Sequence, residues 1–281
     1  MKYLSILLAM ASVAMAQTFT DDLRLVGTNV NVNFYEMTPP LIRFTVIAQD
    51  TDDLDMTAAT LTAADFIWGE TGTLNTTNTL SYDMGVSALG AHYVVCSDWS
   101  AVTKLDWNRA TVSGNIAYFG TATGLTYLRL DNTGITGDLA STTLPTGLTT
   151  LHLYNTGITG DLASTTLPTG LTYLHLGYTS ITGDLASTTL PAGLTYLNLG
   201  YTGTTYPSST GSLTNVANNI NFQIPDCTLS TNNVDNILVD LDTSGATGGV
   251  ANVAGDNAAP SATGLTAFTN LIGKNWSVTK N

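Results

Sequence analysis

Leu125–Gly147 reads LTYLRLDNTGITGDLASTTLPTG, Leu148–Gly170 reads LTTLHLYNTGITGDLASTTLPTG, and Leu171–Gly193 reads LTYLHLGYTSITGDLASTTLPAG. The register extends one diverged copy upstream, Val102–Gly124 (VTKLDWNRATVSGNIAYFGTATG). Downstream, LTYLNLGYTG opens a fifth copy at Leu194 and degenerates near Tyr206-Pro207. Five turns at a fixed period of 23 residues mark a chain built by stacking one unit. Each unit carries apolar residues at positions 1, 4, 6, 11 and 15, which are Leu125, Leu128, Leu130, Ile135 and Leu139 in the second copy. Positions 3 to 7 alternate as a strand does, so 4 and 6 point inward while 3, 5 and 7 point outward. No unit can bury its apolar face alone, but stacked units share one core and pair their strands about 4.8 Å apart. Position 13, occupied by Gly114, Gly137, Gly160 and Gly183, suits a turn with positive φ. Pro145, Pro168 and Pro191 close the outer side of the turns.

These residues resemble the leucine-rich repeat, with its LxxLxLxxN opening, and especially the form that continues as xLxGxI, here TGITGDL. The resemblance implies a mainly β solenoid with parallel strands over residues 102–216. One departure concerns the family's inward Asn at position 9, which is Ala110, then Thr133, Thr156, Thr179 and Thr202. A threonine hydroxyl can bond a neighbouring backbone but has fewer donors than an amide. Downstream, residues 217–281 predict strand–helix repeats that cap the solenoid. A helix is expected over Thr231–Leu241 behind Ser230 or Thr231, a strand over Val250–Val253, a helix over Ser261–Ile272 ended by Gly273, and a strand over Trp276–Thr279. The closing segment AAPSATGLTAFTNLIGKNWSVTKN is similar to the C-terminal end of bacterial and bacteriophage leucine-rich repeat proteins.

Residues 17–101 show no repeat. Alternating stretches such as Leu41–Ala48 and His92–Cys96, split by Gly, Asn and Thr turns, predict a small β-sandwich. Phe66-Ile67-Trp68-Gly69-Glu70-Thr71-Gly72, Leu80-Ser81-Tyr82 and Gly90-Ala91-His92-Tyr93-Val94-Val95 resemble the WxFGDG, HTY and GxYxV motifs of PKD-type immunoglobulin-like domains, with Glu70 where Asp is usual. The sandwich is expected to run into the first repeat with little linker. Met1–Ala16 carries Lys2, an apolar run from Tyr3 to Val13 and small residues at Ala14 and Ala16, the pattern of a cleavable leader. The chain is therefore expected to be secreted or displayed at the cell surface, with no membrane insertion after leader removal. Export permits a disulfide, but Cys96 and Cys227 fall in different parts of an elongated molecule and read as two separate thiols.

The 281 residues carry 8 basic against 21 acidic side chains, a net charge of −13, which argues against a nucleic-acid partner. Only 10% of residues are charged while 50 are threonine, a polar, β-branched composition that suits a β exterior. No GxSxG elbow, HExxH, phosphate loop or dinucleotide fingerprint is present, so neither an enzyme nor a cofactor is expected. His152 and His175 share position 5 of adjacent copies, close enough to hold a metal but, with no carboxylate beside them on that reading, an incomplete site. Asp138, Asp161 and Asp184 stack at position 14, one per turn, and read as a hydrated edge rather than a calcium column. Asp240–Gly245 resembles half of a calcium loop, but Ala251 stands where its closing Glu is needed.

The outward positions 3, 5, 7 and 8 collect the differences between otherwise near-identical copies. They hold Tyr127, Arg129, Asp131 and Asn132, then Thr150, His152, Tyr154 and Asn155, then Tyr173, His175, Gly177 and Tyr178, then Tyr196, Asn198, Gly200 and Tyr201. Tyrosine mixed with Asn, His, Arg and Asp offers flat apolar area plus hydrogen bonds, a face suited to a protein or glycan partner. The expected function is adhesion-type recognition without catalysis, and the alternative is a structural part of a surface layer or phage particle.

Overall fold

The computed structural model describes residue 100, residues 102–108, 112–207, 213 and 216–281, together with the backbone of strands between residues 44 and 96. The expected leader and residues 17–43 of the expected sandwich lie outside the described residues. The fold is a mainly β solenoid of leucine-rich-repeat type. Each central turn contributes two strands rather than the single one that the 3-to-7 alternation predicts.

The inward-leucine strands are β7 (Val102–Asp106), β9 (Tyr127–Arg129), β11 (Thr150–His152), β13 (Tyr173–His175) and β15 (Tyr196–Asn198), followed by β17 (Asn221–Gln223), β18 (Val250–Asn252) and β19 (Ser277–Thr279). All pair in parallel and in register, Leu128 opposite Leu151 opposite Leu174 opposite Leu197. A second sheet comes from positions 10 to 14: β8 (Val112–Asn115), β10 (Gly134–Asp138), β12 (Gly157–Asp161), β14 (Ser180–Asp184) and β16 (Gly203–Thr205). Between the sheets lies one apolar core containing Leu128, Leu130, Ile135, Leu139 and their copies, all shielded from solvent. Gly137, Gly160 and Gly183 adopt φ of +123°, +128° and +107°, as the turn reading requires.

Each central turn then tightens into a short 3₁₀ segment, Leu139–Ser141, Leu162–Ser164 or Leu185–Ser187. Its N-cap is the aspartate of position 14: Asp138, Asp161 and Asp184 accept from the backbone N–H of Ala140, Ala163 and Ala186 at 2.8–2.9 Å. The aspartate column is thus a set of caps, satisfying amide donors that the turn leaves without partners. Asn115 does the same for Ala117 in the first copy. At position 9, Thr133, Thr156, Thr179 and Thr202 each donate to the carbonyl of the leucine three residues back, at 2.6–2.7 Å. The hydroxyl therefore serves its own turn, where a longer amide could span two.

Past β16 the second sheet stops and two helices take its place, α1 (Thr231–Thr243) and α2 (Ala262–Gly273). Ser230 caps α1 through a reciprocal box with Asn233, and Ser261 caps α2. Both helices and both following strands match the expected segments within two residues. Asp240, from the calcium-like stretch, instead accepts from the buried Tyr206 hydroxyl at 2.5 Å, and Asp242 pairs with Lys274 at 2.6 Å. Cys227 is a free, buried cysteine whose thiol donates to the Leu199 carbonyl at 3.1 Å.

On the other side, β1 (Phe44–Ile47) pairs antiparallel with β8 and with β6 (Ala91–Cys96). Likewise β2 (Asp53–Ala58) pairs antiparallel with β7 and with β5 (Thr79–Asp83). The hairpin of β3 (Phe66–Trp68) and β4 (Thr73–Asn75) completes the second sheet, that of β8, through β6. Both solenoid sheets therefore continue into antiparallel strands, with five residues separating β6 from β7. Among the described residues, no helix is long and apolar enough to cross a membrane.

Candidate functional site

The outward side of β9, β11, β13 and β15 is a ladder of rings. Position 3 is Tyr127, Thr150, Tyr173 and Tyr196 in register. Tyr173 and Tyr196 stack face to face, 4.1 Å apart and 2° from parallel. Thr150 is the small member of this row, and beside it the neighbouring His152 ring stacks on Tyr173 at 4.2 Å and leans toward Tyr127 at 5.9 Å. Lys104 lies over the Tyr127 ring, 5.0 Å from its centroid, and closes that end of the row with a cation. A second row joins Tyr154 to His175 at 4.8 Å and to Tyr178 at 5.2 Å.

Position 8 has a backbone oddity. Asn132, Asn155, Tyr178 and Tyr201 all sit at φ between +51° and +57°. Asparagine tolerates this left-handed conformation and tyrosine does so at a cost. Asn155 donates to Asn132 at 3.0 Å, whereas Tyr178 and Tyr201 stack at 4.0 Å while 44% and 46% exposed. The most strained side chains on the face are thus also large, aromatic and open to solvent. The Tyr201 hydroxyl is held above its ordinary value by hydrogen bonding to Tyr178 and to Asp226, a neighbour that the repeat pattern did not point to.

Asp131 departs from the outward reading. It occupies position 7 but is only 4% exposed, covered by its neighbours along the face. Its Oδ1 accepts from the Tyr154 backbone N–H at 2.9 Å, and its Oδ2 accepts from Arg129 Nε at 3.0 Å with His152 Nδ1 at 3.5 Å. Burial raises its carboxyl, but the hydrogen bonds from His152 and Arg129 outweigh burial and hold it below the usual carboxylate value. His175 is pushed down to about 4 by burial, only partly opposed by Asp131, so it is neutral at pH 7. Burial likewise holds the Tyr173 hydroxyl well up, and Tyr196 adds to it.

The histidine pair is therefore not without a carboxylate: Asp131, two turns from His175, supplies one. Position 7 beside His175 is Gly177, where a Cβ would crowd Asn198 Oδ1 at 3.0 Å and the Gly200 carbonyl at 3.2 Å and would meet His175 Nε2 at 3.4 Å. Asn198 turns aside, its Oδ1 accepting from the Gly200 N–H at 2.9 Å. All thirteen residues expected on the face lie along this one side, but only Asn155, Tyr178 and Tyr201 among them are open to solvent; Asp131 is buried and the rest are half-buried. The repeat spacing carried the row positions; it carried no signal for which ring fills the space beside Thr150.

No family model matches the chain, and no curated protein does. Solved structures similar to it include the LRR ectodomain of the receptor kinase SOBIR1 from Arabidopsis thaliana, at 21% identity and a TM-score of 0.32 over 42% of this chain and 65% of that one. Another is a TDR receptor, at 15% identity and a TM-score of 0.36 over 64% of this chain and 34% of that one. The chain thus spans less than two thirds of either. The repeat and its register stand on this chain's own residues.

Proposed function

We propose that this chain is an exported, non-enzymatic recognition protein that binds a protein surface through the strand face of its repeats. The observation that carries the reading is the ring ladder of Tyr127, His152, Tyr173 and Tyr196, built at the positions where near-identical copies differ. Met1–Ala16 supports export through its leader pattern. Rings stacked on one another leave edges rather than faces for a partner, interleaved with the half-buried Arg129 and Asn198. Such amphipathic edges suit a hydrogen-bonded protein contact better than the open ring face on which a sugar lies. A net charge of −13 favours a partner with a basic surface.

The test replaces Tyr173, His175 and Tyr196 together with alanine and measures binding of the purified chain to displayed extracellular proteins and to a glycan array. The expected result is protein binding weakened at least about thirtyfold, the loss of one strong hot spot, with the unfolding midpoint of the triple variant reported alongside. Protein binding unchanged by the substitution overturns the reading, and binding confined to the glycan array moves the partner to the other class.

A further inference from the structure

One potential ligand atom from each of Asp131, His152 and His175 lies within 4.8 Å of the other two. Two features of this cluster go unexplained by a recognition face alone. His175 Nε2 is buried and has no hydrogen-bond partner, and an orphaned buried nitrogen costs stability unless something else engages it. A carboxylate is also buried at position 7, where the following turns place Tyr154, Gly177 and Gly200.

We propose that Asp131, His152 and His175 form a binding site for a first-row divalent cation of borderline softness, with zinc as its probe. Two imidazoles and a carboxylate make a ligand set for such ions, and three protein ligands leave at least one position for water or a partner's donor atom. Bonds of about 2.0–2.1 Å require the three ligand atoms to draw closer than they stand now, to about 3.4 Å apart in a tetrahedral shell. The Tyr154 N–H, bonded to Asp131 Oδ1, would stay in place and orient the carboxylate. Arg129 is the competitor, since its Nε holds Asp131 Oδ2, the oxygen beside His152 Nδ1. Its side chain is one-third exposed and can swing into solvent when the cation arrives.

The geometry gives substitutions of opposite sign. Untagged, metal-stripped chain is titrated with zinc by calorimetry and with cobalt(II) by visible absorption, with no partner present, so failure of the recognition reading leaves this result intact. One ion per chain is expected, with the absorption of low-coordinate cobalt. His152→Ala, His175→Ala and Asp131→Asn each weaken binding at least about tenfold, the least that loss of even an outer-shell partner typically costs. Arg129→Ala tightens it several-fold by releasing Asp131. Absence of saturable binding, binding that survives in the His152→Ala, His175→Ala double variant, or binding unchanged by Arg129→Ala overturns the site. Should a histidine variant fail to fold, zinc protection of wild-type His152 and His175 against diethyl pyrocarbonate, read by peptide mapping, decides: protection of both supports the site and reaction of either overturns it.

Discussion

The three near-identical central turns and the C-terminal helical turns solve one problem in two ways. Apart from Asp131, which accepts from the Tyr154 N–H of the next turn, the buried side chains of the central turns bond locally, each position-9 threonine reaching a carbonyl three residues away. In the C-terminal turns they reach much further. Asn257 accepts from the backbone N–H groups of Cys227 and Leu229 and donates to the Ile224 and Val253 carbonyls. Tyr206 bonds Asp240, 34 residues away, and Trp276 Nε1 donates to Ala246, 30 residues away. The threonine bonds that do cross between central turns join the same positions in every copy, as Thr149 to Thr126 and Thr172 to Thr149, so the turn can be copied nearly unchanged. Past Tyr206 the cross-turn bonds join unlike residues, Tyr206 with Asp240 and Asn257 with Cys227 and Leu229, and the period dissolves there. The amide missing from the position-9 ladder thus reappears once, at Asn257, where two long turns have to be tied together.

The largest expected effect is in the central core. Leu153→Ala removes a fully buried side chain between two near-copies and should cost about 2–5 kcal/mol in denaturant unfolding. Hydrogen exchange should quicken in the adjoining turns as well as its own, because turns are coupled through their interfaces. Next, Asn257→Ala leaves two buried amide donors without partners and should cost about 2–4 kcal/mol. Its loosening should concentrate between residues 224 and 257; equal loss of protection at Leu151 would erase the distinction between local and long-range turns.

A smaller effect is pH-dependent and belongs to the central face. His175 binds its proton near 4 when folded and near 6.5 when unfolded, so between those values the unfolded state holds more protons. Stability therefore falls as pH drops from about 6.5 to about 4, and His175→Gln should flatten that segment in chelator-containing buffer. An unchanged slope would show that the imidazole is not the group responsible. Asp131 adds a loss at still lower pH, as its depressed carboxyl finally protonates. The smallest effect is at Tyr178. Tyr178→Asn relieves a left-handed strain of about 1–2 kcal/mol and gives up ring stacking of about 0.5–1.5 kcal/mol, so the central expectation is a net gain of only about 0.5 kcal/mol. A clear stabilisation would mean that the exposed pair is kept at the expense of the fold, and partner binding by the same variant would then show what it is kept for.

Outwardness and exposure turn out to be different properties. The alternation of positions 3 to 7 placed His152 on the outer side, where a truncation to alanine reads as nearly free. Its side chain is only 14% exposed, lying between Tyr127 and Tyr173 and against Asp131. His152→Ala should accordingly cost about 1 kcal/mol, within the ordinary range for lost ring contacts.

By itself the sequence determined the 23-residue turn, the inward leucines, the parallel register and both C-terminal helices. Each of these follows from spacing along the chain, and a repeated spacing averages away local ambiguity. The second strand of each central turn escaped that reading because GITGD, or SITGD in the last copy, holds one buried side chain, Ile135, Ile158 or Ile181, too few to show an alternation. What only the tertiary structure decided is which groups meet across turns. Asp131 comes beside His152 and close to His175, the His152 ring lies between Tyr127 and Tyr173, and His175 is neutral at pH 7 because its neighbours remove water from it. Those outcomes depend on contacts between residues 21 to 44 positions apart, and a period fixes the row in which a side chain stands but not the neighbour toward which it leans.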